Sequence, residues 1–256
     1  MSHPHNRVAR SLSVVAGVGA LALGPKAGSA GAWRASQSGQ AAPGGVALSA
    51  GRTTSRWAYA RTTDVVRLNA SRRARAVGRL RFLTEDGQAE IYMVLRETRV
   101  AQTGVDWIEL SLPQRPNGVT GWVEAGALGS LHVVHGLLLI SRSRLRATLY
   151  DQAGRVVWSA AVGIGRASLP TPAGDFYVRE KLRVIDSPAF GPYAIGTSAY
   201  APKLSEWPGG GIIGIHGTDQ PLLIPGDPSH GCVRMRNGEI TRLWHLIAIG
   251  TPVDIT

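Results

Sequence analysis

From about residue 57 onward, apolar and polar positions alternate over short runs, and turn residues interrupt the runs at close intervals. IYMVLRETRV (91–100), DWIELSL (106–112) and GWVEAGAL (121–128) are rich in β-branched and aromatic residues. Asp86-Gly87, Thr103-Gly104 and Pro116-Asn117-Gly118 punctuate them, which predicts strands joined by tight turns. The stretch 131–165, LHVVHGLLLISRSRLRATLYDQAGRVVWSAAVGIG, continues the alternation and predicts a hairpin turning at Asp151-Gln152-Ala153-Gly154. Helical spacing shows near the end, where Ile240, Leu243, Trp244 and Ile247 fall at i, i+3, i+4 and i+7. Asn237 is placed to cap that helix and Gly250 to stop it. The fold class expected is mainly β with a minor helical component. Four segments follow: 1–32 as a leader, 33–56 as a flexible Gly/Ala/Ser/Pro tether, 57–130 as a first folded unit and 131–256 as a second.

Composition sharpens this picture at three points. With 256 residues and 44% hydrophobic content the chain can bury one large core or two modest ones, and 32 glycines with 15 prolines suit a turn-rich β protein. The formal charge is +11, carried almost wholly by arginine, since Lys26, Lys181 and Lys203 are the only lysines. Such a surface suits an anionic partner. No helix-turn-helix, zinc-finger or aromatic RNA-binding pattern accompanies it, so nucleic acid is not the partner expected. At the N-terminus, Arg7 and Arg10 precede the apolar run Leu12–Leu23 and the small-residue stretch ending Ala30-Gly31-Ala32. That order of charge, apolar core and small residues describes an export signal, cleaved or kept as a membrane anchor. The chain is expected outside the cytoplasm, and its oligomeric state is not legible.

Export makes the cysteine count informative. Cys232 is the only cysteine, so it can form no internal disulfide, and an unpaired thiol in an oxidising compartment is either inert and buried or reactive. Its neighbours favour reactivity. His230 stands two residues before it and His216 sixteen before it, the latter across a loop carrying Pro221, Pro225 and Pro228. A free thiol is only a few per cent ionised at neutral pH, so nucleophilic use calls for an imidazole at hand. In Ser229-His230-Gly231-Cys232, the glycine would let the amides of His230, Gly231 and Cys232 converge on a developing oxyanion. Arg234 and Arg236 could hold a substrate carboxylate or lower the thiol pKa. A zinc site built from His216, His230, Cys232 and Asp219 or Asp227 is the competing reading, although no metal-ligand spacing motif accompanies these residues. His132 and His135 would point to opposite faces of a strand, and His245 falls on the final helix. Gly163-Ile164-Gly165 lacks the third glycine of a dinucleotide fingerprint.

Two resemblances attach to these motifs. VDWIELSLPQRPNGVTGWVEAGAL (105–128) resembles the bacterial SH3-like domain, which implies a small barrel serving to position or bind. Within it, Trp107 and Trp122 are expected in barrel packing rather than in ligand stacking. HG followed by a loop and SHGCVRM, with LPTPAGDFYV (169–178), FGPYAIG and GIIGIHG upstream, resembles the L,D-transpeptidase (YkuD-like) catalytic domain over about 131–256. The resemblance implies Cys232 as nucleophile, His216 as general base and the Gly217 carbonyl as the group orienting its imidazole. It further implies Ser229, His230 and Gly231 in the substrate and oxyanion segment, and Arg234 as a substrate contact. Peptidoglycan stem peptides are the implied partners, 3-3 cross-links the product and carbapenems the implied inhibitors, with no metal or cofactor. Hydrolysis of the same thioester, transfer to a different amine, and a non-enzymatic wall-binding protein are the alternatives.

Overall fold

Most strands keep the period-two alternation, and the ones that break it show where two sheets meet. The computed structural model describes residues 45–49, 53–204 and 208–256. The expected leader and most of the expected tether lie outside the described residues. The first sheet contains β1 (Val46–Ala47), β2 (Thr54–Tyr59), β3 (Val65–Arg67), β4 (Ala76–Arg79), β5 (Ile91–Val100), β6 (Val105–Ser111), β7 (Thr120–Glu124) and β8 (His132–His135). Its order is β4-β3-β7-β6-β5-β2-β8, with β1 paired to β5. The second sheet contains β9 (Leu137–Ser141), β10 (Arg146–Tyr150), β11 (Val156–Ala161), β12 (Gly163–Gly165), β13 (Gly174–Arg183), β14 (Tyr193–Tyr200), β15 (Ile212–His216), β16 (Gly226–Ser229), β17 (Val233–Arg234) and β18 (Pro252–Ile255). They are ordered β11-β10-β9-β18-β13-β14-β15-β17-β12-β16. Among the described residues, α1 (Asn237–Leu246) is the one α-helix, and no helix is long and apolar enough to cross a membrane.

The mainly β reading holds, while several boundaries move. β1 and the first three residues of β2 fall inside the segment expected as tether, because the buried Ser55 and the pairing of both strands with β5 tie that stretch to the sheet. β8, expected in the second unit, pairs instead with β2 of the first. Trp107 and Trp122 are both 4% exposed, so they pack in the interior and present no stacking face. Asn237 does not cap α1: Arg236 occupies the cap position without a side-chain bond, and the Asn237 amide is engaged elsewhere. The helix also ends before Gly250, with Ile247 as its C-cap, because the buried Ile247 and the Gly250 N–H bond to the Val178 carbonyl turn the chain back into β18. The apolar face is as expected, with Ile240, Leu243 and Ile247 buried and Trp244 packed against the same core.

β5 explains the uninterrupted run Ile91-Tyr92-Met93-Val94. Tyr92 and Val94 enter the core of the first sheet, while Ile91 and Met93 join Trp57, Val134 and Tyr177 in a separate apolar cluster. Tyr177 belongs to β13, so this cluster is where the second sheet packs on the first. Polar groups complete the joint. The Tyr177 hydroxyl donates to the Ile91 carbonyl at 3.2 Å. Asn117, in the Pro-Asn-Gly turn, exchanges a pair of bonds with the Tyr200 backbone, 2.8 Å each way. Arg179 of β13, fully buried, donates to both carboxylate oxygens of Glu90 and lies 2.7 Å from Glu85. Glu90 and Glu85 are each met again by Arg81 at 3.1 Å.

Beside this network, Glu180 accepts from the Thr84 hydroxyl at 2.6 Å. Burial, together with the nearby Asp86 carboxylate, raises the Glu180 carboxyl to about 7. The folded protein therefore holds this proton more tightly than the unfolded chain. Its contribution to stability is complete below the ordinary carboxylate range and is lost as pH rises through about 7. Glu180→Gln should accordingly raise the melting temperature at about pH 8.5 and change it little at about pH 4. Thermal unfolding of both proteins at the two pH values checks this, and an equal shift at both would contradict it.

Candidate active site

His216 and Cys232 lie sixteen residues apart but on neighbouring strands. β15 ends at His216, β17 begins immediately after Cys232, and the two run parallel with Ile215 opposite Val233 and His216 opposite Arg234. The side chains converge over Gly214. Its N–H donates to the Cys232 sulfur at 3.4 Å. A methyl group built on Gly214 would sit 3.8 Å from His216 Cδ2 and 3.9 Å from Cys232 Sγ. Imidazole and thiol thus overhang a single point of the backbone.

The imidazole has a fixed orientation. His216 is 4% exposed, and its Nδ1 lies 2.7 Å from the Gly217 carbonyl oxygen, which can only accept. The proton is therefore on Nδ1, and Nε2 keeps its lone pair. Phe190 closes one side, with ring centroids 4.7 Å apart. Burial, aided by the Arg234 charge, lowers the His216 pKa to about 4. Burial raises the Cys232 thiol, although the Gly214 N–H and Arg234 pull the other way. Both shifts favour neutral partners at rest, an imidazole beside a thiol rather than an ion pair.

Gly217 is held by a close approach of backbones. A methyl on Gly217 would meet Asn237 Oδ1 at 2.3 Å and Gly191 Cα at 2.9 Å. Asn237 Oδ1 accepts the Thr218 N–H at 2.9 Å, which is what its side chain does in place of capping α1. Gly191 itself has φ of +64° and faces Gly217 directly, so neither position has room for a side chain.

The turn carrying Cys232 is braced from two sides. The Ser229 hydroxyl donates to the Cys232 carbonyl at 2.5 Å and accepts the Gly231 N–H at 3.1 Å. Thr171 Oγ1 donates to the Gly231 carbonyl at 2.7 Å while accepting the Gly165 N–H at 2.9 Å. Gly231 has φ of +128°, and a methyl there would press on Ile213 at 3.0 Å. The expectation that three successive amides would converge on an oxyanion is thereby narrowed, because the Gly231 N–H is already used by Ser229.

The expected residues Cys232, His216, Gly217, Ser229, Gly231 and Arg234 are thus brought together, and His230 lies half-buried in the turn between β16 and β17. Arg234 is directly opposite His216 in register, and its Nε is buried without a hydrogen-bond partner among the described residues. Arg236 does not join it: its guanidinium donates to the Ile224 carbonyl at 2.6 Å and holds the loop. Asp219 and Asp227 are exposed, and no group of three or more His, Cys, Asp or Glu side chains is placed to hold a metal among the described residues. Three contributors went unnoticed in the sequence. Thr171 sits in the TPAG motif and Phe190 in FGPYAIG, but nothing in their local pattern assigns a role. Asn237 looked like a helix cap.

A profile of the L,D-transpeptidase catalytic domain matches residues 135–255. The chain is 32% identical over 128 residues to the L,D-transpeptidase-family protein YqjB of Bacillus subtilis (strain 168), covering 47% of this chain and 70% of that one. To YkuD of the same organism it is 32% identical over 101 residues, 40% of this chain and 54% of the relative, so it spans about half of that protein's length. Among solved structures, an L,D-transpeptidase from Mycobacterium tuberculosis H37Rv is 16% identical with a TM-score of 0.41, over 65% of this chain and 90% of that one.

Proposed function

The chain belongs to the L,D-transpeptidase catalytic-domain family, and from that premise we propose that it cross-links peptidoglycan stem peptides through a thioester on Cys232. The observation that carries the reading is the convergence of imidazole and thiol over Gly214, with Nδ1 tied to the Gly217 carbonyl.

The chemistry follows from the resting protonation. A neutral thiol is a poor nucleophile, so the proton must leave as the sulfur attacks. His216 Nε2 is the acceptor, and the Gly217 carbonyl steadies the imidazolium that forms. Sulfur adds to the carbonyl carbon preceding the terminal D-residue of a donor stem. The amides of His230 and Cys232 receive the oxyanion, while Ser229 and Thr171 keep the turn rigid. Collapse of the intermediate breaks the C–N bond, and His216 returns the proton to the departing amine. The side-chain amine of a diamino acid on a neighbouring stem then attacks the thioester and gives its proton to His216, which passes it to the departing sulfur as the C–S bond breaks, restoring the thiol and the neutral imidazole. Arg234, whose Nε has no hydrogen-bond partner among the described residues, is suited to a substrate carboxylate beside the reacting bond. This chemistry needs no metal or cofactor.

The first sheet does not carry the chain's single cysteine. Its RPNG and GWV segments resemble an SH3-like domain, and we assign it a positioning role toward the wall polymer. The place of action is outside the cytoplasm, consistent with the leader expected at residues 1–32.

Mass spectrometry of products from purified stem peptides tests the reading. With an amine acceptor present, a dimer lighter than its two components by one free D-amino acid is expected. Hydrolysed monomer alone, whatever the acceptor concentration, would make the enzyme a carboxypeptidase instead.

A further inference from the structure

One cleft lies apart from the Cys232 turn, at the joint between the two sheets. It has a volume of about 290 Å³, and its walls include Arg79, Arg81, Glu85, Gln114, Arg115 and Tyr200. Its charge is unbalanced. Counting Arg179 and Glu90, which pair beneath it, four guanidinium groups meet two carboxylates among the described residues. Glu85 is occupied: burial works against its charge, yet the Tyr200 hydroxyl and Arg179 hold its carboxyl down at about 2. Arg79 donates to the Thr63 carbonyl, and Arg115 donates to the carbonyls of Ala201 and Leu204. Carbonyl bonds position these cations without neutralising them. Arg115 is further held flat, 4.8 Å over the Tyr200 ring. Preorganised forks facing a concavity with excess positive charge suit an oxyanion.

The cleft is also near the thiol. Arg115 Nη2 lies 2.4 Å from where a Gly211 side chain would start, and the carbonyl of the next residue, Ile212, is 3.9 Å from Cys232 Sγ. Roughly four residues of extended peptide or fewer would span that path.

We propose that this cleft is a carboxylate subsite, in which Arg79, Arg81 and Arg115 hold a free carboxylate of the peptidoglycan stem whose scissile carbonyl lies at Cys232. The assignment rests on the function proposed above and adds a second anchor, built largely by the first sheet.

The test uses full-length Cys232→Ala protein and a stem tripeptide lacking the terminal D-residue, which holds no bond to cleave. Calorimetry should show Arg79→Gln weakening its binding about tenfold, with Arg79→Lys retaining part of it. Arg79 is exposed, so its replacement should leave the melting temperature unchanged. A tripeptide with its carboxylates amidated should bind about tenfold more weakly to the Cys232→Ala protein and lose nothing further on Arg79→Gln. Equal binding with and without the Arg79 guanidinium, or additive losses, would overturn the subsite. Carbapenem labelling of Cys232 in protein with the thiol intact separates the two readings. Labelling with cleft-independent binding defeats the subsite alone, whereas absence of labelling defeats the proposed function.

Discussion

Cys232→Ala should leave no thioester and no cross-linked dimer, and His216→Ala should slow acylation by about 10²–10⁴-fold with the thiol still present. The two losses should not add, because base and nucleophile act in one step. Their pH dependence is the more discriminating readout. His216 acts only when neutral, and burial holds its pKa near 4. The acid limb of kcat/KM should therefore fall near pH 4, well below the ordinary histidine range. Single-turnover acylation followed across pH checks this. A limb near an ordinary imidazole pKa would mean that His216 is solvated, or that another group is the base.

Arg179→Ala should cost about 3–5 kcal/mol of folding stability, because it leaves the buried Glu90 carboxylate with the partly exposed Arg81 alone and removes a cation that also meets Glu85. Replacing Arg179 and Glu90 together by methionine should cost far less than the single change, since neither charge is then left alone. Urea unfolding of both variants measures the difference. If the single variant loses no more than a surface ion pair would, about 0–1 kcal/mol, the network is not what joins the sheets.

The features most legible in the sequence are those whose task is local. Ser229-His230-Gly231-Cys232 builds its own turn, so its composition announces it, and the Ile240–Ile247 stripe obeys the helical period because one face packs. IYMV was legible as a strand but not as the seam, since alternate burial in two cores looks like one apolar run. Arg179 and Glu90 are 89 residues apart, and no periodicity connects them. Asn237 was misassigned for a physical reason: a residue suited to capping is equally suited to accept the Thr218 N–H, and only the tertiary approach of Gly217 decides. Gly163-Ile164-Gly165, excluded as a nucleotide motif, proves to be β12, which pairs with β16 and β17 on either side of the Cys232 turn.

The most direct test is the intact mass of the protein after exposure to a carbapenem, followed by peptide mapping. A single covalent adduct on Cys232, formed much more slowly when His216 is alanine, is the predicted result. An unmodified protein, or an adduct on any other residue, would contradict the account.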